Sequence, residues 1–253
     1  MAGFSGGNIP TLGLEQIYDR DNHLNGAGNL GYGKCRVTSL SVPGNPSSWA
    51  DNITALTIIT VIKINGNDNG YAYHPINKWN SSHANNASFI LYHFQNYQGT
   101  NPNSANRMTW YGNNTANDGT GWGGLCGSGN YHATQGKTHM IVAQFNSTDG
   151  GQMWTGTDGS ISKHGGRGTN GARGQTTSNS TSSALNVYGP TQINSIQEQL
   201  FTAFWSRELT DTEIEEVFFD SKRRFNMEWL FENQIFIYNN IISFGKEIWL
   251  KTF

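Results

Sequence analysis

A run of β-branched and aliphatic residues at positions 56–64, Leu-Thr-Ile-Ile-Thr-Val-Ile-Lys-Ile, decides the fold class. Side chains of this kind pack well on a pleated sheet. A nearly continuous apolar run of this length is typical of a strand that is buried on both faces. Turn-forming residues from Asn65 to Gly70 end the run. The sequence therefore predicts a strand at the centre of a β-sheet.

Shorter runs of strand-forming residues recur along the rest of the chain. Residues 36–42 alternate between apolar and polar side chains with period two, as a half-buried strand does. Further runs bounded by Gly, Asn, Asp or Ser predict strands at residues 88–94, 107–111, 138–145, 152–155 and 184–188. This spacing is typical of an all-β, two-sheet antiparallel sandwich.

Two long segments, residues 113–134 and 165–183, lack strand character and are predicted to be loops. Loops of this length are uncommon in compact domains unless they are functional or mobile. Only the first carries aromatic residues, Trp122 and Tyr131, so it is the better candidate for a binding role.

Composition argues against several partners. Charged residues make up 13% of the 253 residues, and the formal net charge is −2. The chain has no block of five or six basic residues, so we expect no nucleic-acid partner. The longest apolar stretch is too short to span a bilayer, so we expect no membrane partner. The N-terminus lacks a basic and an apolar region, so we expect no signal peptide.

One helix is predicted near the C-terminal side, at about residues 211–222. Thr210 is a favourable N-cap, and Glu213 three residues later completes a capping box. Leu209 before the cap and Ile214 in the first turn are placed to form a hydrophobic staple.

The two ends of the chain differ from its middle. Residues 1–20 are predicted to be an N-terminal arm or an edge strand, and the sandwich occupies residues 21–225. Residues 226–253 are rich in aromatic and aliphatic side chains. Two β-like runs there predict a hairpin, either as further sandwich strands or as an anchor to another subunit. The candidate assembly residues are Trp229, Phe236, Tyr238, Ile241 and Phe244.

The segment at residues 196–214 resembles the closing strand and helix of the concanavalin A-like, laminin-G-type jelly rolls. Phe204 or Trp205 takes the place of the family's aromatic residue, and the other matching residues are Arg207, Leu209, Thr210, Glu213 and Ile214. Upstream, the strand at 152–155 and the Asp158-Gly159 pair look like the family's strand and turn. The resemblance covers residues 40–225 and implies a two-sheet jelly roll with binding loops along one rim.

The acidic residues do not form a recognisable catalytic pair. Glycoside hydrolysis generally uses two carboxylates that flank the bond. The E-x-D-x-x-E strand of the laminarinase-like branch of this fold is absent. Between residues 22 and 197 no two acids stand at i and i+2, the acids being Asp51, Asp68, Asp118, Asp149 and Asp158. We therefore predict that the chain is not an enzyme.

Metal-binding patterns are weak. The seven histidines lack the spacing of a helical zinc site. Residues 65–70 resemble the start of an EF-hand loop, but the twelfth position is Ile76 rather than Glu. Asp68 and Asp118 remain weak calcium candidates, and no other cofactor is expected. Cys35 and Cys126 either pair or stay as free thiols, the second reading being the simpler one.

Trp122 is the leading candidate for ligand binding. It stands among glycines in Gly121-Trp122-Gly123-Gly124, where it is either displayed for stacking on a sugar ring or folded back to plug the loop. Both readings stay open. Candidate neighbours for a glycan site are Tyr131, Trp79 and Trp110.

These features favour a structural or adhesive protein of a virus or bacteriophage particle, such as a capsid-decoration, fibre or tail component. Such proteins assemble in the host cytoplasm and need no signal peptide. The expected partners are copies of the same chain, other virion proteins and host or environmental glycans. A stand-alone carbohydrate-binding module is the alternative, and a glycosidase comes last.

Overall fold

Strand propensity and turn chemistry produce the elements that the sequence predicts. The computed structural model describes residues 9–19, 40–41, 54–64, 72–79, 87–94, 107–113, 122–124, 131–132, 134, 136–146, 148–164, 185–189 and 197–227. In chain order the strands are β1 Leu14–Asp19, β2 Leu40–Ser41, β3 Ala55–Ile64, β4 Ala72–Trp79, β5 Ala87–Phe94, β6 Arg107–Asn113, β7 Trp122–Gly124, β8 Tyr131–His132, β9 Thr138–Asn146, β10 Gly150–Thr157, β11 Ser160–His164, β12 Leu185–Gly189 and β13 Gln197–Trp205. The helix α1 spans Asp211–Ser221.

The first sheet has six strands in the order β1-β13-β3-β9-β10-β11, and its neighbouring strands pair antiparallel. Strand β3, formed by the run at residues 56–64, lies between β13 and β9, which confirms its predicted central position. Strand β1 forms an edge of this sheet by pairing with β13. Residues 14–19 therefore adopt the edge-strand alternative for the N-terminal segment.

The second sheet has the order β2-β12-β4-β5-β6, after which β7 and β8 both pair with β6. The prediction that residues 113–134 lack strands is therefore wrong in part, because Trp122–Gly124 and Tyr131–His132 are strands. Such short pairings depend on backbone hydrogen bonds to a neighbouring strand. A glycine-rich sequence gives no side-chain pattern that reveals them.

Both faces of the first sheet are buried at its central strands. One face carries Ile59 of β3 and Val142 of β9, which cluster with the buried stripe of α1. The other face carries Ile58 and Phe145, which are also buried. The second sheet contributes fully buried side chains such as Leu91. The two sheets thus form an antiparallel β-sandwich, and α1 covers the outer face of the first sheet.

The predicted helix start is confirmed. The Thr210 hydroxyl accepts a hydrogen bond from the Glu213 amide at 3.2 Å, and the Glu213 carboxylate accepts one from the Thr210 amide at 2.8 Å. The carboxylate also pairs with Arg207, whose Nη1 lies 2.9 Å from Oε2. Arg207 in turn donates through Nε to the carbonyl of Leu12 at 2.7 Å. The cap of α1 is therefore tied to the N-terminal segment.

Polar side chains fix the loop between β13 and α1 onto the first sheet. The hydroxyl of Thr57 donates to the Arg207 carbonyl at 2.8 Å and accepts from the Leu209 amide at 2.9 Å. Gln144 donates to the Leu209 carbonyl at 2.8 Å and accepts from the indole N–H of Trp154 at 3.1 Å. Because these groups are buried, each hydrogen bond avoids the cost of an unpaired polar atom.

The segment after α1 packs on the first sheet and meets the turn between β10 and β11. Asp158 and Gly159 form that turn, with φ values of 51° and 76°. Positive φ at both positions is typical of a type I′ hairpin turn, as the resemblance implied. Phe225 and Met227 are buried, and the Met227 carbonyl accepts a hydrogen bond from the Gly159 amide.

Within the described ranges no helix is long and apolar enough to cross a bilayer.

The ring of Phe218 lies directly on the backbone of Gly156. A Cβ atom at position 156 would come within 2.5 Å of the Phe218 ring, which is fully buried in α1. Gly156 pairs with Met140 of β9, which lies in the same apolar cluster. The helix can approach the sheet this closely because position 156 has no side chain.

We expect Gly156→Ala to destabilise the protein by about 1–3 kcal/mol, since a methyl group there overpacks the interface between helix and sheet. Urea unfolding followed by tryptophan fluorescence measures this loss. The double variant Gly156→Ala, Phe218→Leu should recover part of it relative to Phe218→Leu alone. Additive effects of the two substitutions would contradict the contact.

Acid sensitivity should arise at the cap of α1. The hydrogen bond from Arg207 lowers the pKa of Glu213 from 4.5 to about 2, with further lowering from Thr210. The ionised carboxylate therefore favours the folded state above pH 4.5, and this contribution is lost as the pH falls from 4.5 toward 2. We expect Glu213→Gln to lower stability at pH 7 and to flatten this part of the pH profile. Glu216→Gln removes an equal charge from an exposed position of the same helix and is the control.

Candidate functional site

The predicted glycan-site residues all lie on strands of the second sheet. Trp79 is in β4, Trp110 in β6, Trp122 in β7 and Tyr131 in β8. Trp122 pairs with Asn113 at one end of β6, whereas Tyr131 pairs with Met108 toward the other end. Two of the four candidates therefore lie on the short strands that share the outer edge of β6.

Strand register separates the candidates by face. Residues directly opposite in an antiparallel pair share a face, and faces alternate along each strand. Trp110 pairs with Leu91, which is fully buried and pairs with the equally buried Ile76. Tyr131 pairs with Met108, two residues before Trp110, so its position lies on this core face as well.

Trp122 occupies the opposite face, because its partner Asn113 is an odd number of residues from Trp110. The structure thus brings the positions of Trp110 and Tyr131 to one face and separates Trp122 from both. Trp79 pairs with Ala87 beside an irregularity in register. Two strands, β5 and β6, separate its strand from β7.

Other aromatic positions join Trp122 on its face. Tyr111 precedes Asn113 by two residues on β6, which places it diagonally opposite Trp122, at about 7–8 Å between Cα atoms. Tyr92 of β5 pairs with Thr109, the next position along the same face. We define the Trp122 face as the positions Tyr92, Thr109, Tyr111, Asn113 and Trp122.

Tyr92 and Tyr111 were not among the site residues predicted from the sequence. The sequence feature that could have identified Tyr111 is the alternation along residues 107–113. It places Tyr111 and Asn113 on one face of the strand and Trp110 on the other. That alternation becomes informative only once the residue paired with Trp122 is known.

The composition of the Trp122 face suits a sugar. Aromatic side chains supply large flat apolar surfaces, and the Asn amide and the Thr and Tyr hydroxyls both donate and accept hydrogen bonds. A pyranose ring has an apolar face and a rim of hydroxyl groups. Aromatic side chains with a few convergent polar groups are therefore able to hold it.

The buried His139 of β9 binds the connection that follows β8. The Nε2 atom of His139 accepts a hydrogen bond from the Thr134 amide at 3.0 Å. Burial lowers the pKa of His139, against the opposing effects of Thr134 and Asp158. Burial also lowers the pKa of His164. Lys137 forms an ion pair with Asp158 beside this connection, so the chain after β8 is anchored to the turn between β10 and β11.

Two carboxylates of α1 have structural partners. Glu213 pairs with Arg207, and Asp211 pairs with Lys163 at 2.9 Å. Lys163 also lies 4.6 Å from the centroid of the Trp154 ring. Among the described residues no group of three or more His, Cys, Asp or Glu side chains is arranged to hold a metal ion.

Several predicted positions lie outside the described residues. They are the calcium candidates Asp68 and Asp118, the thiols Cys35 and Cys126, and the assembly candidates Trp229, Phe236, Tyr238, Ile241 and Phe244. These assignments stay predictions.

Comparison with known proteins identifies similar folds but no family. No protein-family model and no curated protein matches the chain. Trypanosoma rangeli sialidase in complex with sialic acid matches with a TM-score of 0.52 and 14% identity, over 85% of this chain and 34% of the sialidase. A structure concerning cell entry of botulinum neurotoxin type C matches with a TM-score of 0.44 and 10% identity, over 72% of this chain and 39% of that one. A receptor-binding domain matches with a TM-score of 0.42 and 14% identity, over 66% of this chain and 35% of the domain.

The chain thus spans between 34% and 39% of the length of these three structures. At 14% identity the sialidase match shows the fold alone. It supports the predicted lectin-like β-sandwich. These matches do not show the laminin-G-type branch or a viral origin, which the resemblance had implied.

The prediction that the chain is not an enzyme is contradicted by these comparisons, because a sialidase matches with a TM-score of 0.52. The prediction rested on the absence of a paired-carboxylate motif. That reasoning was too narrow, since sialidases hydrolyse glycosides with a tyrosine nucleophile. The match covers a minority of the sialidase chain, 34%, and assigns no reaction to this one.

Proposed function

We propose that the chain is a carbohydrate-binding β-sandwich and that it binds sugar on the Trp122 face. The observation that carries the proposal is the register of β6 and β7. It places Trp122 and Tyr111 diagonally on one face, with Asn113 directly opposite Trp122. Two aromatic positions and an amide are the kinds of group that bind a pyranose.

The position of these residues in the sheet supports the proposal. The face that carries Leu91 and Ile76 is the core face of the second sheet, since both side chains are fully buried. Antiparallel sheets in sandwiches commonly pack one face on the core and leave the other to solvent. The Trp122 face is the one opposite the core. The sialidase that shares the fold was solved with sialic acid, so this fold occurs in a sugar-binding protein.

A virion role is the second part of the proposal. We propose that the protein is a structural or adhesive subunit of a virus or bacteriophage particle, assembled in the host cytoplasm. Its apolar C-terminal segment would contact other copies or other particle proteins. The sequence supports this through the apolar character of residues 226–253. The structure adds a defined starting point for that segment at Met227, which is buried against the turn between β10 and β11.

Trp122→Ala should abolish signal on a glycan array, or weaken binding to a glycan ligand at least tenfold, about 1.4 kcal/mol. The melting temperature should not change, because an edge position opposite the core contributes little to packing. Phe219→Ala is the matched control, since Phe219 is an exposed aromatic residue, 50% accessible, on α1. The proposal fails if the intact protein gives no array signal, or if the two variants lose binding equally.

Truncation after Met227 tests the assembly role. The cut leaves Phe225 and Met227 in place, because both are buried in the core of the first sheet. We expect the shortened protein to be monomeric and folded, and to be lost from purified particles. Light scattering and thermal melting measure the first two properties. A full-length protein that is itself monomeric, with glycan binding unaffected by truncation, would contradict the assembly role.

A further inference from the structure

Acidic residues are distributed unevenly between the two sheets. The described strands of the second sheet contain no Asp or Glu, although they contain Lys78, Arg107 and three histidines. All described acids lie in the strands and turns of the first sheet or in the segment around α1. The chain as a whole has a formal net charge of −2, so the second sheet departs from the overall balance.

Two of these basic residues are direct cross-strand partners. Arg107 at the start of β6 pairs with His132 of β8. Arg107 is six residues from Asn113, an even number, so its position and that of His132 lie on the same side of the sheet as the Trp122 face. A strand rises about 3.3 Å per residue, so the Arg107–His132 pair lies about 20 Å from the Asn113–Trp122 pair.

An Arg directly opposite a His that can become charged is not a stabilising arrangement by itself, because like charges in cross-strand positions repel. The described strands around the pair supply no carboxylate. Arg107 pairs on its other side with Phe94 of β5, which brings no compensating charge. Two basic residues at directly paired positions are a favourable location for a bound anion.

We propose that the sugar bound on the Trp122 face is part of an anionic oligosaccharide, and that the Arg107–His132 position binds its carboxylate or sulfate group. This inference rests on the proposed carbohydrate-binding function. Arg recognises planar carboxylates and tetrahedral sulfates through paired N–H donors. Aromatic positions at one end and a basic pair at the other suit a short oligosaccharide that lies along β6, with its neutral ring at Trp122 and its acidic unit at Arg107.

Calorimetry on the full-length protein with three matched oligosaccharides tests the inference. The three share one backbone and carry at the terminal unit no charge, a carboxylate or a sulfate ester. We expect at least tenfold tighter binding of one or both acidic forms than of the neutral form, with the preference shrinking as salt rises. The stronger of the two acids identifies the anionic group.

Arg107→Gln should bring the affinity for the acidic form down to that for the neutral form and leave neutral binding unchanged. His132→Gln should reduce the same preference, and it serves as the second variant if Arg107→Gln fails to fold. Arg223→Gln is the control, because it makes the same change at an exposed position beyond α1. Its acid preference should equal that of the unmodified protein.

The outcomes separate this inference from the proposed function. Equal binding of neutral and acidic forms would overturn the anionic assignment and leave the carbohydrate-binding function standing. Retention of the full acid preference in both Arg107→Gln and His132→Gln would overturn the placement. Binding of none of the three forms, together with an empty glycan array, would remove the proposed function itself.

Discussion

Burial of strand β3 on both faces is the constraint on which the rest of the structure depends. Every side chain from Leu56 to Ile62 is fully buried. A strand of this kind needs pairing strands on both edges and a packed layer over each face. Strands β13 and β9 supply the edges, and α1 with the segment through Met227 covers one face. The second sheet covers the other face. Burial of this one strand on both faces thus requires a layer on each side of the first sheet.

Close packing and buried hydrogen bonds together hold α1 on the first sheet. The Phe218 ring sits on the bare backbone of Gly156, which sets how closely the helix approaches the sheet. Thr57 and Gln144 bind the backbone of Arg207 and Leu209, which sets where the chain leaves β13 and enters the helix. An unpaired buried polar group costs about 1–3 kcal/mol, so displacing the loop would be unfavourable even if the apolar contacts survived.

The two sheets differ in the residues that their faces carry. The first sheet uses both faces for packing, and its described charges mostly cap the helix or pair across turns, as Glu213 does with Arg207. The second sheet contributes the fully buried Leu91 and Ile76 to the core. Its other face, at the β6 edge, carries Trp122, Tyr111 and Asn113 in register. The proposed ligand site and the packing of α1 therefore lie on different sheets, and residues of such a site can vary without loss of the core.

The sequence by itself determined the features whose physics is local. The β-branched run at 56–64 predicted a central strand, Thr210 and Glu213 predicted the start of α1, and the family resemblance implied a turn at Asp158 and Gly159. Each depends on residues that are neighbours along the chain. The structure confirmed all three.

Only the tertiary structure decided which distant residues share a face. The sequence grouped Trp122 with Trp110 and Tyr131 as possible neighbours, yet pairing with Asn113 puts Trp122 on the face opposite them. A shift of one residue in register exchanges the two faces of a strand, and glycine-rich edge strands such as β7 carry no pattern that specifies the register. The contact of Phe218 with Gly156 was also not predictable from the sequence, because only the packing of the helix on the sheet brings these two residues together.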